Sequence, residues 1–263
     1  MSKNILIIVG ADKGGVGKTT VSRTLIDYFA ACRLPIRAFD TESPKGNLQR
    51  FHPNETEVVD ITSVFDQMRI LDTIRSANKS TLIDVRAGYL SLTLQFLQNI
   101  GFLEALKRAE VRLVLLHVLS SSISSLGEIE VIRSYVPEAR YYLVKNFINE
   151  ATFFKWDPSV YESFFQKDQH GVEISIPKLN EVAYERVESA AVSFLSFIAN
   201  KNANQEAASN SFVLRGYVRH WLGSVWSEFD RIKLCDIVEA KAEPEKVASQ
   251  MPFHADRLIY SPM

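Results

Sequence analysis

Short apolar runs alternate along the chain with longer stretches in which apolar residues recur every three or four positions. The short runs are typical of strands that are buried on both faces of a sheet, and they occupy residues 5–9, 36–39, 80–84, 112–118, 141–146 and 171–177. The longer stretches are typical of amphipathic helices, and they occupy residues 20–33, 61–77, 126–135, 178–198 and 211–233. This alternation predicts a doubly wound α/β domain, in which helices cover both faces of a mostly parallel sheet.

A glycine-rich segment joins the first predicted strand to the first predicted helix. Its residues are Lys13, Gly14, Gly15, Val16, Gly17, Lys18, Thr19 and Thr20. Glycines leave successive backbone N–H groups accessible, and these groups form an anion-binding concavity at the positive end of the following helix. The segment therefore predicts a phosphate-binding loop, in which Lys18 reaches the β- and γ-phosphates of a nucleotide and the Thr19 hydroxyl is a ligand of Mg²⁺.

Carboxylates follow two of the other predicted strands. Asp40 and Glu42 come at the end of the second strand, and Asp84 ends the third in a Walker B-like arrangement. Because the carboxyl ends of parallel strands form the ligand-binding edge of such a sheet, we expect these side chains beside the phosphate loop. Asp84 is then placed to face Mg²⁺ and its water ligands. For Glu42, a solvated loop charge is the alternative.

The phosphate loop departs from a standard P-loop at two positions, because Asp12 replaces a glycine and Lys13 is an additional lysine. With that lysine, the segment resembles the deviant Walker A motif of the ParA/MinD family of ATPases. The resemblance implies that Lys13 reaches across a dimer interface to the nucleotide of the partner. We expect the Asp12 carboxylate to pair with Lys13 in the monomer or to add negative charge near the phosphates, and so to weaken nucleotide binding or delay dimerisation.

Other segments resemble the same family. Residues 40–47 are similar to its switch I segment with one residue inserted. This similarity implies catalytic roles for Asp40 and Glu42, places Asp40 near the metal as well, and predicts slow hydrolysis because a glutamate reaches farther than an aspartate. Asn146 ends a strand at the place where the family recognises adenine, although an asparagine that only caps its strand is the alternative. Pro177 corresponds to a loop that packs over the base in the family.

The resemblance covers about residues 1–200 and implies a switch driven by ATP and Mg²⁺. The implied protein is a slow ATPase, stimulated by an adaptor protein, that forms a homodimer around two ATP molecules. The leading hypothesis is a partition ATPase of plasmids or chromosomes, or a cargo-positioning ATPase, that binds DNA nonspecifically. The first strand begins near residue 5, which resembles the short type of ParA protein.

Two alternatives belong to other functional classes. One is a membrane-associated, MinD-like regulator, which requires a basic amphipathic helix at the extreme C-terminus. Pro244, Pro252 and Pro262 argue against such a helix here. The other is a nucleotide-binding module with little turnover, which the replacements at Asp12 and Glu42 suggest.

Charge places one limit on the DNA hypothesis. The chain of 263 residues has 30 basic and 31 acidic residues and a net charge of −1, so any contact with DNA must come from a local patch. A small basic face on the last predicted helix is one candidate, and it comprises Arg215, Arg219, His220, Arg231 and Lys233. A solvated helix face with ordinary charges is the favoured interpretation of these residues.

The remaining features bear on location and domain organisation. Cys32 and Cys235 lie far apart and define no disulfide framework, which favours a reducing cytosol. No apolar run approaches the roughly 18 residues of a membrane span, so we expect no integral membrane association. The expected location is the cytoplasm, at the nucleoid if DNA is bound. Residues 1–235 are predicted to form one domain, and residues 236–263 a loosely docked tail.

Overall fold

The computed structural model describes residues 4–76, 80–108, 111–120, 124–149 and 172–239. Its strands are β1 Asn4–Gly10, β2 Ile36–Asp40, β3 Thr56–Val58, β4 Ser80–Asp84, β5 Val111–Leu119, β6 Arg140–Asn146 and β7 Val172–Ile176. Its helices are α1 Lys18–Ala31, α2 Val64–Ser76, α3 Leu90–Asn99, α4 Phe102–Lys107, α5 Ser124–Tyr135, α6 Glu181–Ala190, α7 Phe194–Ile198, α8 Phe212–Arg231 and α9 Leu234–Glu239. A short 3-10 helix, Phe147–Asn149, follows β6.

The described strands form one seven-stranded sheet in the order β3-β2-β4-β1-β5-β6-β7. Every neighbouring pair in it is parallel. The chain leaves β1 toward one edge to form β2 and β3, and later continues on the other side with β5, β6 and β7. The carboxyl end of β1 therefore lies at a topological switch point, where sheets of this kind bind ligands. The predicted α/β fold is confirmed.

Both faces of the sheet are buried, as the continuous apolar strands predict. Ile5, Ile7 and Val9 of β1 belong to a core cluster that includes buried residues of α1 and of α6 to α9. Leu6 and Ile8 point to the other face and belong to a cluster that includes residues of α2, α3 and α5. Alternate side chains of one strand thus hold two helical layers, one on each side of the sheet.

The helix predicted over residues 178–198 is wrong, because two helices occupy that stretch. The side chain of Asn180 caps the start of α6, and Ala191 at its end has a left-handed backbone with φ of 49°. Ser193 then caps α7 through a 3.1 Å hydrogen bond from the backbone of Ser196. The apolar spacing continues across the break, so periodicity alone does not reveal it.

Four further elements are absent from the prediction, namely β3, α3, α4 and α9. Strand β3 is only three residues long, which is too short for an alternating pattern to stand out. Helices α3 and α4 form a compact pair between β4 and β5, joined by a turn at Gly101 with φ of 72°. These helices complete the cover of the face that α2 and α5 share.

The expectation that the cysteines are unpaired is wrong, because Cys32 and Cys235 form a disulfide between the end of α1 and α9. Helix α8 packs along α1, with a 2.6 Å hydrogen bond from the Tyr28 hydroxyl to Asp230, and so returns the chain to the end of α1. The separation of 203 residues between the cysteines hides this proximity in the sequence. Cysteine usage therefore gives no support for a reducing compartment.

The far end of the chain leaves one prediction open. Helix α9 crosses the predicted boundary between residues 235 and 236, and residues 240–263 of the predicted tail lie outside the described residues. Among the helices of the described ranges, none combines the length and the apolar character needed to cross a membrane.

Candidate nucleotide site

The loop between β1 and α1 has the backbone that its glycines predict. Gly15 and Gly17 have φ of 73° and 84°, in the left-handed region that side chains disfavour. A Cβ on Gly17 would lie 2.2 Å from Nδ2 of Asn146, so a larger residue there would displace Asn146. The first N–H groups of α1, which begins at Lys18, have no acceptor within the helix. The loop and the helix therefore offer backbone N–H groups to an anion.

The two lysines of the loop lie in different environments. Lys18 is only 8 % exposed, and its Nζ donates a 3.2 Å hydrogen bond to the carbonyl oxygen of Lys13. Burial lowers the pKa of Lys18, against the attraction of nearby carboxylates such as Asp84. A phosphate beside Lys18 would favour its charged form. The Lys13 side chain, in contrast, is exposed.

Two buried carboxylates lie side by side at the ends of β2 and β4. Asp40 and Asp84 are partners in the parallel register and are 1 % and 4 % exposed. Burial raises the pKa of Asp84 to about 7, and the charge of Asp40 adds to the rise. Ser22 Oγ donates a 2.9 Å hydrogen bond to Asp84, and the Thr19 side chain is a second hydrogen-bond partner. A cation at this position would relieve the repulsion between the two carboxylates.

These oxygen donors suit Mg²⁺, which prefers hard ligands and keeps several of its waters. Thr19 and Asp84 are in hydrogen-bond contact and line the same cavity as Lys18. Across the described ranges, no group of three or more histidine, cysteine, aspartate or glutamate side chains is arranged to hold a metal. The ion would therefore be held by Thr19, Asp84 and the phosphates together rather than by a cage of protein side chains.

The Asp40 carboxylate organises the loop that follows β2. Its Oδ1 accepts the N–H of Glu42 at 3.0 Å. Its Oδ2 accepts the N–H groups of Leu48 and Gln49 at 2.7 and 3.3 Å. A Cβ on Gly46 would lie 2.6 Å from the same oxygen, so the glycine lets the loop wrap around the carboxylate. Asp40 therefore anchors the loop, and its catalytic and metal-binding roles stay predictions.

Glu42 lies at the exposed side of the same cavity. Its carboxylate accepts a 2.6 Å hydrogen bond from Nδ2 of Asn47. It lines the cavity together with Lys18 and Asp84, which places a carboxylate near the predicted phosphates. The position is compatible with a role in water activation, and that role stays a prediction.

Asp12 does not form the predicted ion pair with Lys13. Its carboxylate accepts hydrogen bonds from the backbone N–H of Leu90 at 3.1 Å, and from the N–H and hydroxyl of Ser91 at 3.4 and 2.7 Å. Leu90 and Ser91 are the first residues of α3, and the N-cap residue of that helix makes no side-chain hydrogen bond. Asp12 therefore caps α3 from another part of the chain. Its charge still reaches the site, because it is one of the charges that oppose the lowering of the pKa of Lys18.

Two adjoining cavities make up the site. The first has a volume of about 410 Å³ and contains most of the predicted phosphate and metal residues: Gly15, Gly17, Lys18, Thr19, Thr20, Asp40, Glu42 and Asp84. The second has a volume of about 530 Å³ and is lined by the predicted base residues Asn146 and Pro177. Thr20, Ile148 and Tyr184 line both cavities, so the two volumes meet there. This arrangement suits a nucleotide with its phosphates in the first cavity and its base in the second.

Asn146 connects the two cavities through the phosphate loop. Its Nδ2 donates hydrogen bonds to the carbonyl oxygens of Val16 at 3.1 Å and Gly17 at 3.4 Å. The side chain thus supports the loop from the end of β6, and its oxygen is an acceptor of the kind that the adenine amino group requires. In the second cavity, Nε1 of Trp221 donates a 2.6 Å hydrogen bond to the carbonyl oxygen of Pro177. This bond holds the segment after β7 against α8.

Several lining residues are not predicted from the sequence. Tyr184 and Trp221 lie on helices α6 and α8, where their spacing indicates burial but not the cavity that they line. Arg86 follows Asp84 by two residues and lines the phosphate cavity. Its nearness to a predicted metal ligand in the sequence is a signal that could have identified it. Gly14 and Val16 lie within the loop itself, as predicted.

One comparison with known proteins shows the family of this chain. The family model of the CobQ/CobB/MinD/ParA nucleotide binding domain matches residues 7–215. No curated protein matches the chain. A solved nucleotide-binding protein from Archaeoglobus fulgidus, in complex with ADP, is similar at 15 % identity over 70 % of this chain and 85 % of that chain, with a TM-score of 0.47. A TM-score of that size supports no inference about this chain. Because the family match spans most of the sequence, the chain belongs to the CobQ/CobB/MinD/ParA nucleotide-binding domain family.

Proposed function

We propose that the protein is an ATP-binding and ATP-hydrolysing molecular switch that forms a homodimer when ATP is bound. The observation that carries the proposal is the position of Lys13. Its side chain is exposed and is not among the described residues that line the phosphate cavity of its own chain. Lys18, in contrast, lines that cavity and bonds the Lys13 carbonyl. An exposed ammonium beside a phosphate loop is available to the nucleotide of a second copy.

In the proposed mechanism, the residues of one chain bind and orient the nucleotide. The loop N–H groups and Lys18 hold the phosphates, and Thr19 and Asp84 would hold Mg²⁺. When bound there, Mg²⁺ would supply positive charge to the phosphates, which would favour transfer of the terminal phosphoryl group to water. Lys13 of the second copy adds positive charge where negative charge develops in the transition state. The dimer then separates after hydrolysis because this contact is lost.

Glu42 is the proposed residue that orients the attacking water. Its hydrogen bond to Asn47 restricts the orientation of its carboxylate, and we propose that turnover is slow for this reason and that an adaptor protein stimulates it. The same bond favours a second candidate function, a nucleotide-binding module with little turnover, in which Glu42 only shapes the loop. Phosphate release from bound ATP, measured over a single turnover, distinguishes the two functions.

The oligomeric state tests the proposed switch. Light scattering on the full chain is expected to give a monomer with ADP and a dimer with ATP or with a slowly hydrolysed ATP analogue. Lys13→Ala is expected to abolish the dimer and to leave ADP binding in place, because Lys13 does not line the cavity of its own chain. Lys201→Ala, at an exposed lysine between α7 and α8, is the matched control and should keep the dimer.

Two outcomes contradict the proposed arrangement. A dimer that persists after Lys13→Ala shows that this lysine does not bridge the two copies. A wild-type protein that binds ATP but stays monomeric at every concentration favours the module with little turnover.

We further propose that the dimer acts in the cytoplasm in plasmid or chromosome partition, or in cargo positioning, by binding duplex DNA nonspecifically. The exposed Arg219 and His220 on α8 support this proposal, whereas Arg215 and Arg231 of the predicted basic face bond within the protein. Retention on DNA is expected only with the ATP analogue, and it should fall as salt rises because phosphate contacts release counterions. Retention on anionic vesicles in place of DNA favours the membrane-associated regulator.

A further inference from the structure

Arg86 lines the phosphate cavity from the segment that follows β4. The other cations of that cavity each make a bond within the protein, although the buried Nε and Nη2 atoms of Arg23 have no hydrogen-bond partner among the described residues. Lys18 bonds the Lys13 carbonyl, and Arg23 and Arg50 both bond Glu188 of α6. Within the described ranges Arg86 forms no salt bridge, and the acidic group on which its charge acts is the exposed Asp60, whose pKa it lowers. Attraction between exposed charges is weak. Its guanidinium is therefore available to an anion in the cavity.

Packing against an aromatic ring orients the Arg86 side chain. Its guanidinium carbon lies 4.3 Å from the centroid of the Tyr89 ring. An arginine that stacks in this way uses its flat face and keeps its N–H edge for planar or bidentate partners such as phosphate. The Arg86 side chain therefore loses less conformational entropy when an anion binds.

Thr41 fixes the backbone of Arg86. Thr41 is 1 % exposed, and its Oγ1 accepts the N–H of Arg86 at 2.9 Å. The same hydroxyl and the backbone N–H of Thr41 donate to the carbonyl oxygen of Asp84 at 3.2 and 3.1 Å. One buried threonine thus ties the loop that carries Glu42 to the segment that carries Arg86.

The order of the cavities indicates which phosphate Arg86 faces. The base cavity meets the phosphate cavity at Thr20, Ile148 and Tyr184, so the phosphate next to the ribose belongs at that junction. Arg86 and Glu42 line only the phosphate cavity and are absent from the lining of the base cavity. The terminal phosphate of a triphosphate is the group that extends toward them.

We propose that Arg86 binds the terminal phosphate of the nucleotide held by its own chain, and that Thr41 is the positioning residue that sets Arg86 in place. The inference rests on the proposed function. It assigns to Arg86 the distinction between ATP and ADP, because ADP lacks the phosphate that the guanidinium binds. It also differs from the role of Lys13, because Arg86 acts within one chain.

Nucleotide binding to the full chain tests the role of Arg86. Affinities for ADP and for the slowly hydrolysed ATP analogue are measured in the Lys13→Ala background, so that dimerisation does not contribute. Arg86→Ala is expected to weaken binding of the analogue by about tenfold to a hundredfold, the range for charge-assisted hydrogen bonds, and to leave ADP binding nearly unchanged. Arg186→Ala, at an exposed arginine on α6, is the matched control and should change neither affinity.

A pair of variants tests the role of Thr41. Thr41→Val removes the hydroxyl that bonds Arg86 and should lower the affinity for the analogue relative to ADP. Thr41→Ser keeps the hydroxyl and should restore the ratio of the two affinities. Thermal unfolding of each variant is measured in parallel, because a merely structural role would lower stability without changing that ratio.

The remaining outcomes separate this inference from the proposed function. If Arg86→Ala weakens the binding of ADP and of the ATP analogue equally, or changes neither affinity, the role of Arg86 is contradicted. The proposed ATP-dependent switch is unaffected by that result. An effect of Arg86→Ala that is seen with dimer-competent protein but not in the Lys13→Ala background places the guanidinium on the nucleotide of the partner and contradicts action within one chain. A wild-type protein that binds neither nucleotide removes both the proposed function and this inference.

Discussion

Two buried aspartates near the two ends of α1 have similarly raised pKa values but different surroundings. Asp84 lies at the end of β4 beside the first turn of α1, and Asp27 lies in the second half of that helix. Burial raises the pKa of each to about 7. Neither burial nor the raised pKa therefore separates a binding site from a structural contact, and the distinction has to come from the neighbouring groups.

The neighbours of Asp27 compensate its buried carboxylate in part. Its Oδ2 accepts the backbone N–H groups of Phe194 at 3.0 Å and Leu195 at 3.4 Å, which begin α7. Arg23 lies one turn before it in α1 and is held by Glu188 and by the rings of Phe51 and Phe194, whose centroids lie 3.4 and 4.3 Å from the guanidinium carbon. Opposite charges, aromatic faces and a helix start thus surround Asp27, although Nε and Nη2 of Arg23 have no hydrogen-bond partner among the described residues.

The neighbours of Asp84 compensate its charge only in part. A second carboxylate, Asp40, raises its pKa further, the hydroxyls of Ser22 and Thr19 supply neutral hydrogen bonds, and the nearby charge of Lys18 lowers the pKa by less than these effects. The arrangement also lines a cavity, whereas the contacts of Asp27 secure one helix to another. Adjacent buried carboxylates are costly unless a cation lies nearby, and this cost is the argument for the proposed Mg²⁺ site.

The same substitution at both aspartates gives the sharpest test of this comparison. Asp84→Asn is expected to lower Mg²⁺-dependent ATP hydrolysis by about a hundredfold or more, because a ligand of the ion is lost. Asp27→Asn is the matched control and should leave the rate within the range of the wild type. The measurement is phosphate release at saturating ATP and Mg²⁺. Equal rate losses in both variants would show that burial alone, and not the neighbouring groups, decides which aspartate matters.

The two halves of the nucleotide site differ in how far the sequence could predict them. The phosphate half could be predicted, because the loop lies in one contiguous motif and Asp40 and Asp84 end apolar strands of a parallel sheet. The base half is assembled from distant segments, and only Asn146 could be placed there, by resemblance, together with the segment after β7. Tyr184 has no local motif, because its place depends on how α6 packs over the sheet.

Two of the wrong expectations have a shared physical cause. Asp12 stands next to Lys13 in the sequence, yet it caps a helix that begins 78 residues later. The cysteines meet across 203 residues because α8 packs along α1. In both cases the side chain contacts a residue that is distant in the sequence rather than its neighbours along the chain. Local patterns in a single sequence do not reveal such a contact. The order of the longer strands and helices was predicted because periodicity is local, whereas β3, α3, α4, α9 and the break between α6 and α7 were not.

The pH dependence of stability gives a second test, which concerns the buried Asp27 alone. The folded-state pKa of Asp27 is about 7, above its ordinary value of 3.8, so between these values the folded protein holds a proton that the unfolded chain has lost. Stability must then fall as pH rises through that window, by at most about 1.4 kcal/mol per pH unit for one carboxylate. Asp27→Asn keeps an acceptor for the start of α7 but cannot ionise, so the variant should match the wild type near pH 4 and exceed its stability near pH 8. Urea unfolding of both proteins without nucleotide, at several pH values, measures the difference, and two parallel curves would show that the Asp27 carboxylate is ionised in the folded state throughout.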